Sequence, residues 1–277
     1  MWHLTGDPVR KYRDPQPEPL PDGDPDGDAL AAAGGGRHDA IDRLIDHHGP
    51  DAVCAALAPL LTAERMARVE EVLAARLGSV VPVVEDVYDP HNGAAVIRSA
   101  EALGLQELQV IETGLRFQAA RGITRGCHRW IDLVRWRAAA ACADALRARG
   151  FRVLATTPHA ATPLAEVDVR APVAVIFGNE HAGLPAATIA ACDGAVALPM
   201  YGFTESFNLS VSAALVTSHL AMRRRAHLGR TGDLDPARLA RLRARWYALK
   251  VRGAVGVVER AVSRQTRGGV ATEPQSP

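Results

Sequence analysis

From residue 79 to residue 200 the sequence alternates short runs of β-branched and apolar residues with segments that have helical spacing. The short runs have the composition of β-strands and span residues 81–87, 107–113, 131–136, 152–158, 173–179 and 195–200. Helices are predicted between them at 93–104 and 138–149, each ended by a glycine, Gly104 or Gly150. Because strands that alternate with helices form mostly parallel sheets covered on both faces, the predicted fold class is α/β.

The segments on either side of this region are predicted to be helices and tails. Helical spacing is present at 37–61, with a break at Gly49, and Thr62 has the position of an N-cap for the helix that follows. Residues 208–226 and 235–250 are predicted to form C-terminal helices. The chain therefore divides into a disordered leader, a helical N-terminal extension, an α/β domain, a basic helical C-terminal extension and a flexible tail, at residues 1–36, 37–78, 79–226, 227–267 and 268–277 respectively.

The formal net charge of +1 hides a strong segregation of charge along the chain. Residues 1–36 carry about 3 basic and about 7 acidic side chains, whereas residues 222–267 carry about 13 basic and about 3 acidic ones. A uniformly basic surface for nucleic acids is excluded, but a basic C-terminal segment is not. We expect the leader to be disordered because its Pro, Asp and Gly residues cannot bury enough apolar surface to offset the entropy of ordering.

Several functional classes are disfavoured by what the sequence lacks. No two of the cysteines (Cys54, Cys127, Cys142 and Cys192) have CxxC spacing, so neither a zinc site nor a disulfide framework is expected, and no metal is predicted. Dinucleotide, P-loop, zinc-protease and nucleophile-elbow motifs are absent. The N-terminus has no signal-peptide core, and no run of about 18 apolar residues occurs, so we expect a cytoplasmic protein without a membrane partner.

Polar residues follow three of the predicted strands, at the edge where open parallel sheets bind ligands. After the first strand, the segment YDPHNGAAVIRS places Asn92 at the start of a helix, as a predicted N-cap, and Arg98 within that helix. Glu180 lies in the glycine-containing loop FGNEHAGLP, and Ser206 and Asn208 begin a helix in YGFTESFNLSVSAALV. Taken singly, Asn92 and Arg98 are better explained as a cap and a solvated residue than as site residues, whereas the excess of polar residues in the last segment indicates a site.

Three segments together carry a resemblance to a known family. They are PHNGAAVIRSAEALG (90–104), FGNEHAGLP (177–185) and LPMYGFTESFNLSVSAAL (198–215). In this order and at these separations they resemble the three motifs of the SpoU/TrmH family of RNA 2′-O-ribose methyltransferases, within the SPOUT superfamily. The third, with the pattern P-M-x-G-x-x-x-S-x-N-x-S-V-S-A-A, is highly specific. The resemblance covers about residues 62–250.

The resemblance implies a fold and a cofactor that the residue pattern alone does not reach. The fold is a SPOUT-type α/β knot, whose C-terminal segment threads through a loop to make a deep trefoil knot, whereas pattern reasoning predicts an ordinary open sheet. The cofactor is S-adenosylmethionine, bent within the knotted loops. Matching the motifs assigns its contacts to Thr156, Gly178, Leu198, Met200 and Phe207; Phe207 departs from the usual Leu but keeps an apolar wall.

The resemblance also implies roles for the polar residues in methyl transfer. Arg98 corresponds to the residue thought to act as base, although an arginine is normally protonated, so a phosphate-binding and hydroxyl-polarising role stays open. Asn92 would orient Arg98 or an RNA phosphate. Glu180, Ser206 and Asn208 would shape the pocket and position the nucleotide. No metal is needed for this chemistry.

The basic C-terminal segment resembles the extension of the tRNA-specific branch of the family, which methylates the D-loop guanosine at tRNA position 18. It is predicted to bind phosphates, with Trp246 and Tyr247 available for stacking on bases. The family further implies a homodimer. The alternatives are an rRNA 2′-O-methyltransferase of the same family, or a catalytically silent RNA-binding protein on the same fold.

Overall fold

The computed structural model describes residues 37–120, 124 and 126–268. Its strands are β1 (Val80–Glu85), β2 (Glu107–Ile111), β3 (Asp132–Trp136), β4 (Arg152–Thr156), β5 (Thr162–Pro163), β6 (Val173–Phe177) and β7 (Gly194–Ala197). Its α-helices are α1 (Arg37–His48), α2 (Pro50–Leu57), α3 (Ala63–Ala74), α4 (Pro90–Ala102), α5 (Ala139–Ala148), α6 (Ala186–Ala190), α7 (Leu209–Leu228), α8 (Pro236–Lys250) and α9 (Ala254–Gly268). The leader predicted to be disordered at 1–36 lies outside the described residues, as do residues 269–277 of the predicted tail.

The strands form one sheet of 7 strands in the order β3-β2-β1-β6-β4-β7-β5. Every neighbouring pair is parallel; Val84 of β1, for example, aligns with Val110 of β2 and Phe177 of β6. The predicted parallel α/β fold is therefore confirmed. The two-residue β5 and the five-residue α6 are too short to have a sequence signature. The trefoil knot stays a prediction.

Both faces of the sheet are covered by helices, as expected for parallel strands. Helices α4 and α7 pack on one face, where Ile97 and Leu220 are fully buried against the strands. On the other face, Cys142 and Leu146 of α5 pack against alternate residues of β1 and β6. Burying both faces explains why β1, β2 and β6 are apolar or buried throughout rather than alternating.

The N-terminal and C-terminal helices share a second apolar core. Helices α1, α2 and α3 pack against α8 and α9, and the predicted apolar face of α1 (Ile41, Leu44 and Ile45) is buried there. Trp246 and Tyr247 belong to the same core and are only 2% and 6% exposed. The prediction that their rings are available for stacking on bases is wrong, because the helices at the two ends of the chain fold together over them.

The arginines of α8 point largely toward acidic partners within the chain. Arg241 pairs with Asp42 and Asp46 of α1, and Arg243 forms a two-pronged contact with Glu70 of α3. The further pairs are Arg245 with Asp42 and Asp132, and Arg238 with Glu107 and Asp132. Much of the positive charge predicted to bind RNA phosphates is therefore neutralised intramolecularly in this helix.

Local signals for the ends of elements agree with the structure at several positions. Thr62 caps α3 by accepting a hydrogen bond from the backbone N–H of Arg65 at 3.2 Å. Gly104 and Gly150 adopt positive φ just after α4 and α5.

The four cysteines are free. Within the described residues, no helix is long and apolar enough to cross a membrane, and no group of side chains could hold a metal ion.

Candidate active site

Four neighbouring strands end at the same edge of the sheet and carry most of the predicted site residues. Strands β1, β6, β4 and β7 lie side by side and run parallel, so the loops that follow them emerge together. The chain also changes direction across the sheet here, since β2 and β4 lie on opposite sides of the β1–β6 pair. Such switch points are where open α/β sheets form ligand crevices.

The first loop leads directly into α4 through a capped helix start. Asp89 is the N-cap, and its carboxylate accepts a hydrogen bond from the backbone N–H of His91 at 2.8 Å. Pro90 occupies the first helical position, where its missing N–H costs nothing. The prediction that Asn92 caps this helix is wrong. Asn92 is instead a buried residue of the first turn, and its side chain is free to point at the neighbouring loops.

Asn92 joins residues from all three polar loops. Its amide nitrogen Nδ2 donates to Oε1 of Glu180 at 2.8 Å. Its amide oxygen Oδ1 accepts from Nδ2 of Asn208 at 3.1 Å. Asn208 in turn caps α7, since its Oδ1 accepts from the backbone N–H of Ser210 at 2.8 Å. The structure thus brings Asn92, Glu180 and Asn208 together in one hydrogen-bonded chain.

Glu180 is held as an ionised acceptor by donors from the first loop. The backbone N–H groups of Tyr88 and Asp89 donate to its two carboxylate oxygens at 3.0 and 3.2 Å. Partial burial acts to raise the pKa of Glu180, but the hydrogen bonds from Asn92 and from these backbone groups outweigh it and lower the pKa. The carboxylate therefore stays charged and fixes the loop after β6 against the start of α4.

The loop after β6 turns back on itself so tightly that only glycine fits at its start. Asn179 and Gly183 exchange two backbone hydrogen bonds, at 3.1 and 2.9 Å. A Cβ added to Gly178 would lie 2.3 Å from the carbonyl carbon of Gly183, a separation that real Cβ atoms do not show. The Asn179 side chain also donates to the backbone carbonyl of Asp86 at 2.6 Å. The loop is therefore a rigid part of the edge.

The residues assigned to the cofactor lie at the ends of adjacent strands. Thr156 ends β4, and its hydroxyl donates to the carbonyl oxygen of Ile176 in β6 at 2.9 Å. Leu198 follows β7, is half-buried and packs against the main core; Met200 is also half-buried, and Phe207 is 39% exposed. The edge therefore combines a glycine loop, a hydroxyl and an apolar wall.

Arg98 and Ser206 are not part of the Asn92 network. Arg98 is exposed on α4 and makes no hydrogen bond or ion pair with the described residues. Six residues of helix separate it from Asn92, which places it about 9 Å along the axis and on a different face. Ser206 is exposed in the loop before α7. Both side chains are exposed to solvent.

Asp86 is a site residue that sequence reasoning missed. It adopts a positive φ of 46°, which is uncommon for a residue other than glycine. Its carboxylate accepts from the backbone N–H groups of Thr113, Gly114 and Leu115 at 2.9 to 3.0 Å. Burial acts to raise the pKa of Asp86, but these bonds and the Thr113 hydroxyl outweigh it and lower the pKa. The available signal was an aspartate directly after a strand, a residue type that tolerates this backbone.

Comparison with known proteins gives matches over the sheet and its polar loops. The model of the SpoU rRNA Methylase family matches residues 79–218. The tRNA (guanosine(18)-2′-O)-methyltransferase of Borreliella burgdorferi is 36% identical over 170 residues, which cover 61% of this chain and 78% of the relative. The enzyme of the same name from Thermus thermophilus is 33% identical over 187 residues, which cover 67% of this chain and 96% of the relative.

Among solved structures, the fold is similar to a TrmH/SpoU tRNA modifying enzyme from A. aeolicus. The two superpose with a TM-score of 0.61 and 25% sequence identity. The match covers 68% of this chain and 98% of the other. The predicted resemblance, drawn from three short motifs, therefore extends to the fold of about two thirds of the chain.

Proposed function

Because the chain belongs to the SpoU rRNA methylase family, we propose that it transfers a methyl group from S-adenosylmethionine to a ribose 2′-hydroxyl of tRNA, at the D-loop guanosine of position 18. The observation that carries the proposal is the Glu180–Asn92–Asn208 chain of hydrogen bonds, with Asn92 at its centre, which unites the three motif loops. The names of these two relatives support tRNA as the substrate. The intact network argues against a catalytically silent protein. We place the reaction in the cytoplasm.

S-adenosylmethionine, when bound, supplies a methyl group that is already attached to a good leaving group. The residues at the edge fit it: the glycine loop after β6 and the hydroxyl of Thr156, whose oxygen can still accept a hydrogen bond, lie at the ends of adjacent strands. Leu198, Met200 and Phe207 offer an apolar wall for the adenine. The chain must then hold the ribose so that its 2′-oxygen is in line with the methyl group.

The hydroxyl must lose its proton as the new C–O bond forms. Arg98 is proposed to assist, either by accepting that proton or by binding a phosphate and polarising the hydroxyl. Its exposure and lack of partners among the described residues leave it free for RNA. Asn92 and Asn208 would hold the loops in register, and Ser206 would contact the nucleotide.

A homodimer is proposed from an apolar stripe on α7. Val211, Leu215 and Met222 are 44%, 44% and 68% exposed and lie on the outer face of the helix. Their separations of four and seven residues place them on one side of the helix. Covering this stripe with the same stripe of a second copy would remove it from water. Leu215→Glu is expected to give a monomer in analytical ultracentrifugation, and an unchanged mass would contradict the arrangement.

RNA binding by the C-terminal extension is proposed to use the arginines that are not paired within the chain. Arg230, Arg252, Arg260 and Arg264 are exposed and form no ion pair with the described residues. We therefore expect the triple substitution of Arg252, Arg260 and Arg264 by Gln to weaken tRNA binding and to reduce its dependence on salt. Unchanged tRNA binding across a salt series would contradict the proposal that these arginines bind tRNA.

In the deciding experiment, the purified protein is incubated with bulk tRNA or with rRNA in the presence of methyl-labelled S-adenosylmethionine. The position of the 2′-O-methyl group is then mapped. We expect label in tRNA at the D-loop guanosine; label in rRNA alone would overturn the assigned substrate.

Arg98→Ala is expected to abolish transfer while the cofactor affinity stays within about twofold. Arg68→Ala, which changes an exposed arginine in α3, is the matched control and is expected to act like the unmodified protein.

A further inference from the structure

Among the described residues, the exposed rings of Phe, Tyr and Trp lie at the candidate active site. In the part of the chain that the structure describes, the exposed Phe, Tyr and Trp side chains are Tyr88, Tyr201, Phe203 and Phe207. All four follow β1 or β7, at the edge where the site residues meet. Aromatic rings bury large apolar areas when they are inside a protein, so their concentration on one accessible edge indicates contact with a flat ligand.

Tyr88 differs from the other three because its ring is paired with another exposed ring. Tyr88 and His181 lie edge to face, with ring centroids 4.9 Å apart and an angle of 73° between the planes. Tyr88 is still 60% exposed, and an edge-to-face contact leaves at least one face of the tyrosine open. The pair therefore presents a flat surface to whatever approaches the edge.

Backbone hydrogen bonds hold this pair of rings next to the Asn92 network. The N–H of Tyr88 donates to Glu180 at 3.0 Å, and His181 directly follows Glu180 in the chain. The N–H of His181 donates to the side chain of Asn179 at 2.8 Å. Both rings are thus attached to fixed loops, and little conformational entropy is lost when a ligand stacks on them.

The charges around the pair favour a neutral ligand. The carboxylates of Asp86, Asp89 and Glu180 lie on the same two loops, and hydrogen bonds lower the pKa of each. Three negative charges disfavour an acidic protein partner, and they disfavour a phosphate group placed directly against the two rings. The uncharged face of a nucleobase suits this position, because stacking needs an aromatic surface and no positive charge.

We propose that Tyr88 and His181 form a stacking platform for a nucleobase of the RNA substrate, next to the ribose that is methylated. The inference rests on the proposed function and adds a recognition element to it. A base in an RNA loop can unstack from its neighbours, and a rigid aromatic pair beside Glu180 would hold that base in the unstacked state. Specificity for an accessible loop nucleotide over paired RNA would follow.

The test compares Tyr88→Phe, Tyr88→Leu and Tyr88→Ala in the full chain, with an unmodified tRNA transcript as the probe. The ring of Phe can still stack on a base, whereas the side chains of Leu and Ala cannot. We expect Tyr88→Phe to retain the tRNA affinity and the KM of the unmodified protein. Tyr88→Leu and Tyr88→Ala should raise both the Kd and the KM for tRNA about tenfold, with the affinity for S-adenosylmethionine unchanged. Leu60→Ala, which removes an exposed apolar side chain between α2 and α3, is the control and should have no effect.

A second readout reports the stacking directly. A tRNA transcript that carries 2-aminopurine beside the methylated ribose should lose fluorescence when it binds the unmodified protein, and lose much less with Tyr88→Leu. Equal quenching, or equal affinity of the Leu and Phe variants, would overturn the platform. A monomeric Tyr88→Leu variant would also overturn it, since the ring would then be a contact between copies. If the unmodified protein does not methylate tRNA at all, that result contradicts the proposed function itself. It is distinguishable from a failure of the stacking platform, which only the Tyr88 variants test.

Discussion

Asn92 donates its side-chain amide to Glu180 at 2.8 Å, although the two residues are 88 positions apart in the chain. One belongs to the first turn of α4 and the other to the loop after β6. Because β1 and β6 are neighbours in the sheet, the two segments leave it side by side. The contact fixes the relative position of two motif loops, and Asn208 extends it to the third.

Glu180→Gln is expected to weaken this arrangement because all the neighbours of the carboxylate are donors. The amide nitrogen of Gln would face an N–H of Tyr88, Asp89 or Asn92 in place of an acceptor. Leaving such a group unsatisfied costs about 1–3 kcal/mol. We expect the free energy of unfolding in urea to fall by about that amount and methyl transfer to fall more than tenfold. Glu71→Gln, in an exposed pair on α3, should change neither, and an equal loss in both variants would contradict the assigned role.

Gly178→Ala is expected to disrupt the loop after β6. The added Cβ would meet backbone atoms of Gly183 and Leu184 at 2.3 to 2.5 Å, and backbone cannot move aside as a flexible side chain can. We expect the affinity for S-adenosylmethionine, measured by calorimetry, to fall at least tenfold. Gly194→Ala is the control, because its Cβ would meet only side-chain atoms at 3.6 Å or more. Tight cofactor binding by Gly178→Ala would show that the loop tolerates the change.

The sheet and its polar edge are predictable because their signals are local. An apolar run such as 173–177 indicates a strand buried on both faces wherever it lies in the chain. Gly104 and Thr62 mark helix ends by their own backbone and side-chain chemistry. The Asn92 cap is mispredicted because the local signal lay three residues earlier, in the pair Asp89-Pro90.

The environment of α8 is not predictable in this way. Its sequence PARLARLRARWYALK has the composition of a basic helix with rings available for RNA. Three of its acidic partners, Asp42, Asp46 and Glu70, lie more than 170 residues earlier in the chain, and no local pattern shows that they fold onto it. The same long-range packing buries Trp246 and Tyr247.

Arg245→Met is expected to loosen the contact between the two ends of the chain. The Arg245 side chain is only 14% exposed and bridges Asp42 at 2.9 Å and Asp132 at 2.5 Å. Removing one partner of a buried pair leaves uncompensated charges, but both aspartates are about a quarter exposed, so we expect a loss of about 1–3 kcal/mol in the free energy of unfolding. Arg68→Met, from a pair exposed on both sides, should lose less than about 0.5 kcal/mol. An equally small loss for Arg245→Met would contradict a stabilising role for the contacts of Arg245 with Asp42 and Asp132.

The stabilising effect of Asp86 should depend on pH. Hydrogen bonds hold its pKa below the ordinary value of 3.8 in the folded chain, so its carboxylate contributes stability above that pH, and the contribution disappears as the pH falls through the folded pKa. We therefore expect Asp86→Asn to be less stable than the unmodified chain at pH 7, with the difference shrinking below pH 3.8. Urea unfolding at a series of pH values measures this. Because Asn also tolerates positive φ, the substitution keeps the backbone conformation. A difference in stability that is constant with pH would refute the contribution of the charge.

Cys142 should be almost unreactive in the folded protein. It is fully buried between α5 and the sheet, and burial raises the pKa of its thiol to about 12. Thiolate is the reactive form, so alkylation by iodoacetamide at pH 8 should be at least a hundredfold slower than in the urea-unfolded chain. Peptide mass spectrometry follows each cysteine separately. Cys127, which is partly exposed, serves as the internal comparison and should be labelled first. Labelling of both cysteines at one rate would mean that the α5 face opens without global unfolding.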